Sequence, residues 1–239
     1  MNIPILMYHQ IDVPPASGTP LRGLVVAPAA FARQMWLLRL FGYKGLSMSD
    51  LVPYLKGEKR GKVVGLTFDD GYQNNVGNAL PVLKKNGFTA TCYGVSGMMS
   101  GTNSWDLEKG IAEKPLMTLS DWQGWRDAGM DIGSHTRTHA NLTELPSEEA
   151  RQQIAASKHE LEFALDSEVR HFCYPYGKFL PEHAAMVKEA GYVTATTVQR
   201  GRVHEGADPF TLRRIMVARA THPGLFAAKV MTDYEDRRA

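Results

Sequence analysis

Seven short apolar segments alternate with longer amphipathic segments along this chain. The short segments are rich in β-branched or aromatic residues and lie at residues 3–8, 63–68, 89–95, 130–133, 171–174, 193–197 and 212–217. Continuous apolar runs of this length are typical of strands that are covered on both faces, as in a parallel sheet. The longer segments carry apolar residues at helical spacing. In residues 147–165, for example, Ala150, Ile154 and Leu161 would share one face of a helix.

Four predicted helices end with the same signal, a glycine followed by an apolar residue and then a strand. The four glycines are Gly42, Gly87, Gly129 and Gly191. Glycine just past a helix adopts the left-handed conformation without a Cβ penalty. This strand–helix order predicts an α/β fold with a parallel sheet, as either an open doubly wound sheet or a closed barrel. With no linker or low-complexity segment in the chain, we expect a single domain over residues 1–239.

Composition excludes several classes of protein. The 239 residues are 44% hydrophobic and 22% charged, which is typical of a globular protein. A net charge of +2 without a concentrated basic face argues against a nucleic-acid partner. No run reaches the ~18 apolar residues of a membrane span, and the N-terminus lacks the pattern of a signal peptide. We therefore expect a cytoplasmic protein, although a secreted form with its signal removed would look the same.

The two cysteines, Cys92 and Cys173, lie within apolar runs. This placement favours two buried reduced thiols, with a disulfide between neighbouring strands as the alternative.

Polar residues follow four of the predicted strands at the point where each strand ends. They are Tyr8 and His9, then Asp69 to Gly71, then Ser134 to His139, and finally Tyr174 to Gly177. The carboxyl ends of parallel strands meet on one rim of an α/β fold, and functional residues gather there. We therefore expect these four clusters to form one site.

Two of these clusters predict a metal site. Adjacent carboxylates at Asp69 and Asp70 are costly after a buried strand unless a cation or hydrogen-bond donors compensate them. His135 and His139 are four residues apart, a spacing at which two imidazoles can reach one ion. Two histidines and one carboxylate with open positions form a known arrangement for divalent metals.

The same clusters resemble the motifs of the polysaccharide deacetylases with a NodB-type domain, carbohydrate esterase family 4. Residues 67–71 (TFDDG) resemble the first motif, residues 134–139 (SHTRTH) the second, and residues 174–177 (YPYG) the core of the third. Residues 7–11 (MYHQI) resemble the start of a subgroup that includes poly-N-acetylglucosamine deacetylases. The resemblance extends from about residue 3 to residue 217.

The resemblance implies a distorted (β/α) barrel with about seven parallel strands. It also implies a hydrolase that removes N-acetyl groups from a sugar, a glycan or a glycan precursor. Asp70, His135 and His139 would hold the metal, most often Zn²⁺, with Co²⁺, Ni²⁺ or Mn²⁺ as alternatives. Asp69 would be the general base, and the backbone amide of Tyr176 would bind the oxyanion. Such a metal lowers the pKa of water from about 15.7 to about 7 and polarises the acyl oxygen.

The chain departs from the family pattern in two places. Cys173 stands where many members have an arginine that orients the base, and Arg170 lies nearby at a different strand phase. The late Leu-x-His motif, which supplies the general acid, is missing after Gly177. His9 is the first candidate for the acid because it follows a strand at the predicted rim. His222 and His204 are the second and third candidates, and a surface position would be enough to explain His171, which precedes a strand.

Aromatic residues near the motifs are candidates for sugar binding, since sugar rings stack on aromatic side chains. We expect Tyr174, Pro175, Tyr176 and Trp105 to contact the substrate, and Trp122 to lie in the core.

Several other functions stay open. A related amide hydrolase could open a cyclic ureide or imide, or deformylate a lipid-linked sugar, and the same site could remove O-acetyl groups. A catalytically silent glycan-binding domain would have lost a metal ligand or the base, and this chain keeps all four residues. A non-haem iron oxygenase shares the two-histidine carboxylate motif, but such sites are usually built on all-β barrels.

Overall fold

The computed structural model describes residues 2–239. Within that range the strands are Ile5–Tyr8 (β1), Gln10–Ile11 (β2), Val25–Val26 (β3), Lys44–Leu46 (β4), Val63–Phe68 (β5), Thr91–Gly94 (β6), Asp131–Ser134 (β7), His171–Cys173 (β8), Thr194–Arg200 (β9) and Leu212–Met216 (β10). The α-helices are Pro28–Leu40 (α1), Met48–Leu55 (α2), Asn74–Asn78 (α3), Leu80–Asn86 (α4), Leu119–Asp127 (α5), Ser147–Leu165 (α6), Pro181–Glu189 (α7) and Pro223–Met231 (α8).

Seven parallel strands close into a barrel. Pairing runs from β1 through β10, β9, β8, β7 and β6 to β5, and β5 pairs back to β1. The closing contact places Ile5 opposite Gly65 and Tyr8 opposite Phe68. The distorted barrel expected from the sequence is therefore confirmed, and the open doubly wound alternative is wrong. All seven predicted strands are present, with ends that shift by a few residues.

A short eighth strand distorts the barrel wall between β5 and β6. The first half of β5 pairs with β4, where Lys44 lies opposite Val63. Only the end of β5 pairs with β6, where Phe68 lies opposite Cys92. The sequence pattern missed β4, as it missed the two-stranded sheet of β2 and β3. Strands of two or three residues are too short to produce a recognisable period.

Alternate residues of the strands face two different apolar clusters, as the period of two in a strand requires. On β5, Val64, Leu66 and Phe68 belong to the larger cluster, which also contains Phe31 and other residues of the surrounding helices. Val63 instead belongs to a smaller cluster made mainly by strand residues. The same alternation places Thr67 on the inner side of β5. Asp69, just beyond the end of the strand, lies on that side too, so its carboxylate faces the barrel interior.

Several local expectations are met. Gly42, Gly87, Gly129 and Gly191 all have positive φ at the ends of helices. Cys92 and Cys173 are buried free thiols, so the disulfide alternative is wrong. None of the helices within residues 2–239 combines the length and apolar character needed to span a bilayer.

His171 is fully buried, so the interpretation as a surface histidine is wrong. It starts β8 at the amino-terminal end of the barrel, where its two ring nitrogens lie 2.9 Å from Ser49 Oγ and 2.8 Å from Thr194 Oγ1. Burial lowers the pKa of His171 to about 4, although Asp131, with Oδ2 3.5 Å away, opposes that shift. The neutral imidazole is therefore part of the native packing.

We expect the folded state to lose stability as pH falls below about 6.5, because the unfolded chain then binds a proton that folded His171 excludes. The depressed folded pKa means that the contribution is fully present above pH 6.5. About 2 kcal/mol would be lost between pH 7.5 and pH 5. Urea denaturation at several pH values should show that the free energy of unfolding falls less toward low pH in His171→Gln than in the wild type.

The exposed His159 on α6 provides a matched control, and His159→Gln should keep the wild-type pH dependence. A His171→Gln profile that runs parallel to the wild type would show that His171 does not cause the effect.

Candidate active site

Four of the predicted clusters meet at the carboxyl-terminal rim of the barrel. His9 follows β1, Asp69 and Asp70 follow β5, His135 and His139 follow β7, and Tyr176 follows β8. The two carboxylates and the two later histidines are buried, His9 is partly exposed, and Tyr176 is 39% exposed. A buried set of ionisable groups with exposed neighbours is the arrangement expected of a reaction site.

Three of these residues converge on one point. The Nε2 atoms of His135 and His139 each lie 3.3 Å from Asp70 Oδ1. Zinc bound at about 2.1 Å in tetrahedral geometry holds its ligand atoms roughly 3.4 Å apart. The donor set and its spacing therefore fit a divalent cation, with the fourth side left open.

The backbone at Asp70 explains how two adjacent carboxylates point in different directions. Asp70 and Gly71 both have positive φ, at 74° and 73°. A Cβ on Gly71 would lie 2.8 Å from the Trp122 ring, so only glycine fits at this close approach. Trp122 is buried in the core beneath the turn, as expected. The turn directs Asp70 to the histidines and leaves Asp69 facing the barrel interior.

Asp69 forms a bidentate ion pair with Arg214, a residue that was not predicted from the sequence. Arg214 Nη1 donates to Asp69 Oδ1 at 2.6 Å, and Nη2 donates to Oδ2 at 2.7 Å. Arg214 is on β10 and 1% exposed, with further contacts to Thr67 Oγ1 at 3.1 Å and to the carbonyl of Thr197 at 2.8 Å. This network fixes both the position and the rotation of the Asp69 carboxylate.

Arg214 supplies the guanidinium that the family pattern places at the position of Cys173. The Cys173 thiol lies 3.2 Å from Arg214 Nη2, so the guanidinium reaches the expected position from a different strand. Arg170 does not substitute, since it is partly exposed and faces Glu168. A signal was available in the sequence, because Arg213 and Arg214 interrupt an apolar strand and one of two adjacent residues must face inward.

The outer nitrogens of the two candidate ligands are also held. His135 Nδ1 donates to the backbone carbonyl of Cys173 at 2.7 Å, and His139 Nδ1 lies 3.1 Å from the Tyr176 hydroxyl. Hydrogen bonds at Nδ1 leave Nε2 free to face Asp70. The Trp105 ring stacks on His139 with centroids 4.5 Å apart, which restricts that ring further.

Both carboxylates are held in their ionised form. Burial alone would raise the pKa of Asp69, but the charge and hydrogen bonds of Arg214 outweigh it and lower that pKa. Burial likewise opposes ionisation of Asp70, and the contacts with His135 and His139 hold its pKa well below the ordinary value. Asp69 is therefore a carboxylate at neutral pH and able to accept a proton.

A second group of potential ligand atoms is formed by Asp69, His135 and Cys173. Arg214 contacts both Asp69 and Cys173, so a cation bound there would lie beside a buried positive charge. We therefore assign the candidate metal position to Asp70, His135 and His139.

Of the three histidines considered for the general acid, His9 is the one with a contact to Asp69. Its Nε2 is 3.9 Å from Asp69 Oδ2. His222 is exposed and accepts a hydrogen bond from the Leu225 amide as the cap of α8. His204 lines a cavity at the other end of the barrel. The fold thus places His204 away from the site, whereas His222 follows β10 at the same end of the barrel with its Nδ1 used by the helix cap.

The residues expected to contact the substrate separate into two groups. Tyr174 is fully buried, with its hydroxyl donating to the Phe210 carbonyl, and Pro175 is buried beside it. The expectation for these two side chains is wrong, because they leave no exposed surface for a sugar. Tyr176 and Trp105 do lie beside the ligand cluster, with Trp105 stacked on His139 and Tyr176 packed against the same ring edge to face.

The backbone at Tyr176 is also unusual. This residue has φ 58° and ψ 5°, inside a turn that is otherwise closed by the Gly177 and Lys178 amides. Among residues 2–239, the Tyr176 amide has no backbone acceptor. An amide N–H that lies at the rim and has no backbone acceptor is a suitable donor for an oxyanion.

Comparison with known proteins agrees with this geometry. The family model described as polysaccharide deacetylase matches residues 56–195, more than half of the chain. The protein belongs to this family.

Individual relatives extend the likeness over nearly the whole chain. YxkH of Bacillus subtilis (strain 168) is 29% identical over 231 residues, covering 96% of this chain and 76% of YxkH. The poly-β-1,6-N-acetyl-D-glucosamine N-deacetylase of Staphylococcus epidermidis is 27% identical, covering 83% of this chain and 70% of the relative. The structure of the Streptococcus pyogenes deacetylase PplD in complex with acetate superposes with a TM-score of 0.84 and 26% identity, covering 96% of this chain and 98% of PplD.

We expect Arg214→Met to lower the free energy of unfolding by roughly 3–5 kcal/mol at pH 7, because it leaves the Asp69 carboxylate buried without a counter-charge. Without Arg214, burial would raise the pKa of Asp69, so the defect should shrink as pH falls and Asp69 is protonated. The double variant Asp69→Asn/Arg214→Met should lose less unfolding free energy than Arg214→Met alone. Urea denaturation of each variant measures these differences.

Arg213→Met is the matched control, since Arg213 is the exposed neighbour on the same strand and should cost under about 0.5 kcal/mol. Equal losses in the single and double variants would show that Asp69 is not what makes Arg214 necessary.

Proposed function

We propose that this protein is a metal-dependent deacetylase that removes N-acetyl groups from an N-acetylated sugar, glycan or glycan precursor. One observation carries the proposal. At one rim of the barrel, Arg214 fixes the Asp69 carboxylate beside Asp70, His135 and His139, which form a candidate metal position. A hydrolase of an unactivated amide needs both a base and an electrophile, and this arrangement can supply both.

The candidate ligands would hold a divalent ion, with Zn²⁺ as the first choice, because zinc favours nitrogen and oxygen ligands in a tetrahedral set with one open position. When bound, such an ion supplies Lewis acidity and lowers the pKa of water toward about 7. The protein contributes the rigidity of the site, through the Cys173 carbonyl and the Tyr176 hydroxyl that hold the two imidazoles.

Asp69 would act as the general base. It is ionised at neutral pH, and each of its oxygens keeps a lone pair beyond the one used by Arg214. Arg214 keeps the carboxylate from rotating toward the candidate ligands, so the base and the metal ligand stay distinct. Asp69 would accept the proton of the attacking water while the acyl carbon becomes tetrahedral.

His9 and the Tyr176 amide would complete the reaction. His9 is placed to exchange a proton with Asp69, and its partly exposed ring can give one to the departing nitrogen. The Tyr176 amide would donate to the oxygen that gains negative charge. Among the three candidate histidines, His9 has a contact with Asp69, whereas the Nδ1 of His222 is used by the cap of α8, which supports His9 as the proton donor in place of the missing family motif.

The substrate class is proposed from chemistry and from the relatives. Trp105 and Tyr176 flank the candidate ligands and provide aromatic surfaces of the kind on which sugar rings pack. The Staphylococcus epidermidis relative is named for poly-β-1,6-N-acetyl-D-glucosamine, which makes β-1,6-linked N-acetylglucosamine oligomers the first substrate to test.

We expect metal-stripped protein to release no acetate from N-acetylglucosamine oligomers, and one equivalent of Zn²⁺ or Co²⁺ to restore release. Asp69→Asn should lower the rate at least ~10²-fold while the protein still binds metal, because it removes only the base. Asp70→Asn should lose both metal binding and activity. An acetate assay paired with measurement of bound metal distinguishes these cases.

Asp127→Asn, an exposed change at the end of α5, is the control for the loss of a carboxylate. Metal binding at one equivalent without acetate release would contradict the glycan N-deacetylase proposal. O-acetylated glycans, cyclic ureides and formylated sugars would then be tested as substrates.

Tyr176→Phe should weaken zinc binding by about 10-fold or more, because His139 loses the acceptor that orients its ring. The zinc concentration needed for half-maximal activity should rise by the same factor. Titration of the stripped protein against a competing chelator measures the affinity. Tyr43→Phe, remote from the rim, should bind zinc as the wild type does, and an unchanged affinity in Tyr176→Phe would show that the hydroxyl does not support the ligand.

A further inference from the structure

A second cavity lies at the end of the barrel opposite the candidate active site. It has a volume of about 610 Å³, within the range of about 300–1,000 Å³ that is usual for small-molecule sites. It lies where β9 and β10 begin, and it shares no residue with the active-site rim, where the strands end. The two regions therefore face opposite directions along the barrel axis.

The floor of this cavity is apolar and fixed. Ile3, Val203 and Leu212 are buried members of the smaller core cluster and also line the cavity. The amide of Ile3 donates to the carbonyl of Val203 at 2.9 Å, and the reverse bond is 2.8 Å. These three side chains are 5% exposed or less, and the half-buried Tyr54 and Leu55 at the end of α2 form an apolar wall with more accessible surface. A ligand with a hydrocarbon portion could cover this surface without rearranging the core.

The rim of the cavity is cationic. Lys56, Lys59 and Arg60 line it, all three are exposed, and none of their side chains has a hydrogen bond or ion pair within residues 2–239. Glu205 is the one carboxylate among the lining residues of the described chain. Three cations against one carboxylate give this opening a local positive charge, unlike the nearly neutral chain as a whole.

The end of α2 does not oppose an anion at this opening. Helix carboxyl termini carry partial negative charge when their last carbonyls are free. Here the amides of Lys56 and Gly57 bond to the carbonyls of Val52 and Tyr54, and the amides of Glu58 and Lys59 bond to that of Pro53. The carbonyls at this helix end are therefore not free to repel an incoming anionic group, and the lysine and arginine side chains are available to it.

We propose that this cavity binds a small anionic amphiphile, with a phosphate or carboxylate head between Lys56, Lys59 and Arg60 and an apolar chain along the wall formed by Tyr54 and Leu55. Neither half of such a ligand suffices alone. A simple anion would leave the apolar wall in water, and a neutral amphiphile would leave the cations without a partner. The inference does not depend on the proposed deacetylase activity, because no residue of the cavity belongs to the active site.

Isothermal titration calorimetry of the full chain with monooctyl phosphate tests the proposal. We expect one binding site, and at least 10-fold weaker binding of octyl glucoside, which has the same chain with a neutral head, and of inorganic phosphate. The triple variant Lys56→Glu/Lys59→Glu/Arg60→Glu should bind monooctyl phosphate at least 10-fold more weakly. Ala207→Trp, which places a large ring in the cavity from an exposed position, should do the same.

Lys84→Glu/Lys85→Glu on α4 is the matched charge reversal outside the cavity and should bind as the wild type does. Acetate release should stay at the wild-type rate in the cavity variants, which separates this inference from the proposed function. Equal affinities for the phosphate and the glucoside, undiminished binding by the triple variant, or no binding of monooctyl phosphate would each overturn the proposal.

Discussion

The candidate active-site rim depends on a buried ion pair inside the barrel, between Asp69 and Arg214. Both charged groups are buried, and their two charge-assisted hydrogen bonds must offset the cost of desolvation. The pair is possible only because closure of the barrel brings β10 within reach of the carboxylate that follows β5. It also assigns the two adjacent carboxylates different tasks, since Asp69 is committed to Arg214 and only Asp70 remains for the histidines.

Backbone strain is concentrated at the same rim. Seven non-glycine residues of the described chain have positive φ, and four of them are Asp70, Thr136, His139 and Tyr176. Such conformations cost roughly 1–3 kcal/mol each and persist where the surrounding structure imposes them. Here they turn the chain sharply after β5, β7 and β8, so that consecutive residues can face a common point. The strain is thus part of how the site is assembled.

The two ends of the barrel differ in chemical character. At the carboxyl-terminal rim, buried ionisable groups are paired with one another and flanked by aromatic rings. At the amino-terminal end, His171 is kept neutral by burial, and a separate opening combines an apolar floor with unpaired cations. The strands between the two ends are short, with four residues in β1 and in β6. This length is still enough to separate the two regions, which share no side chain.

The sequence alone determined the seven barrel strands and the residues of the candidate metal position. Both follow from local features, namely runs of apolar residues and polar groups placed directly after them. Only the tertiary structure decided that Arg214 orients Asp69, that Tyr174 faces the core, and that His171 is buried. Each of these depends on which strands become neighbours when the barrel closes, and pairing between distant segments leaves no local pattern. The position of a side chain relative to a strand end can be predicted from sequence, whereas its partner across the barrel is set by closure.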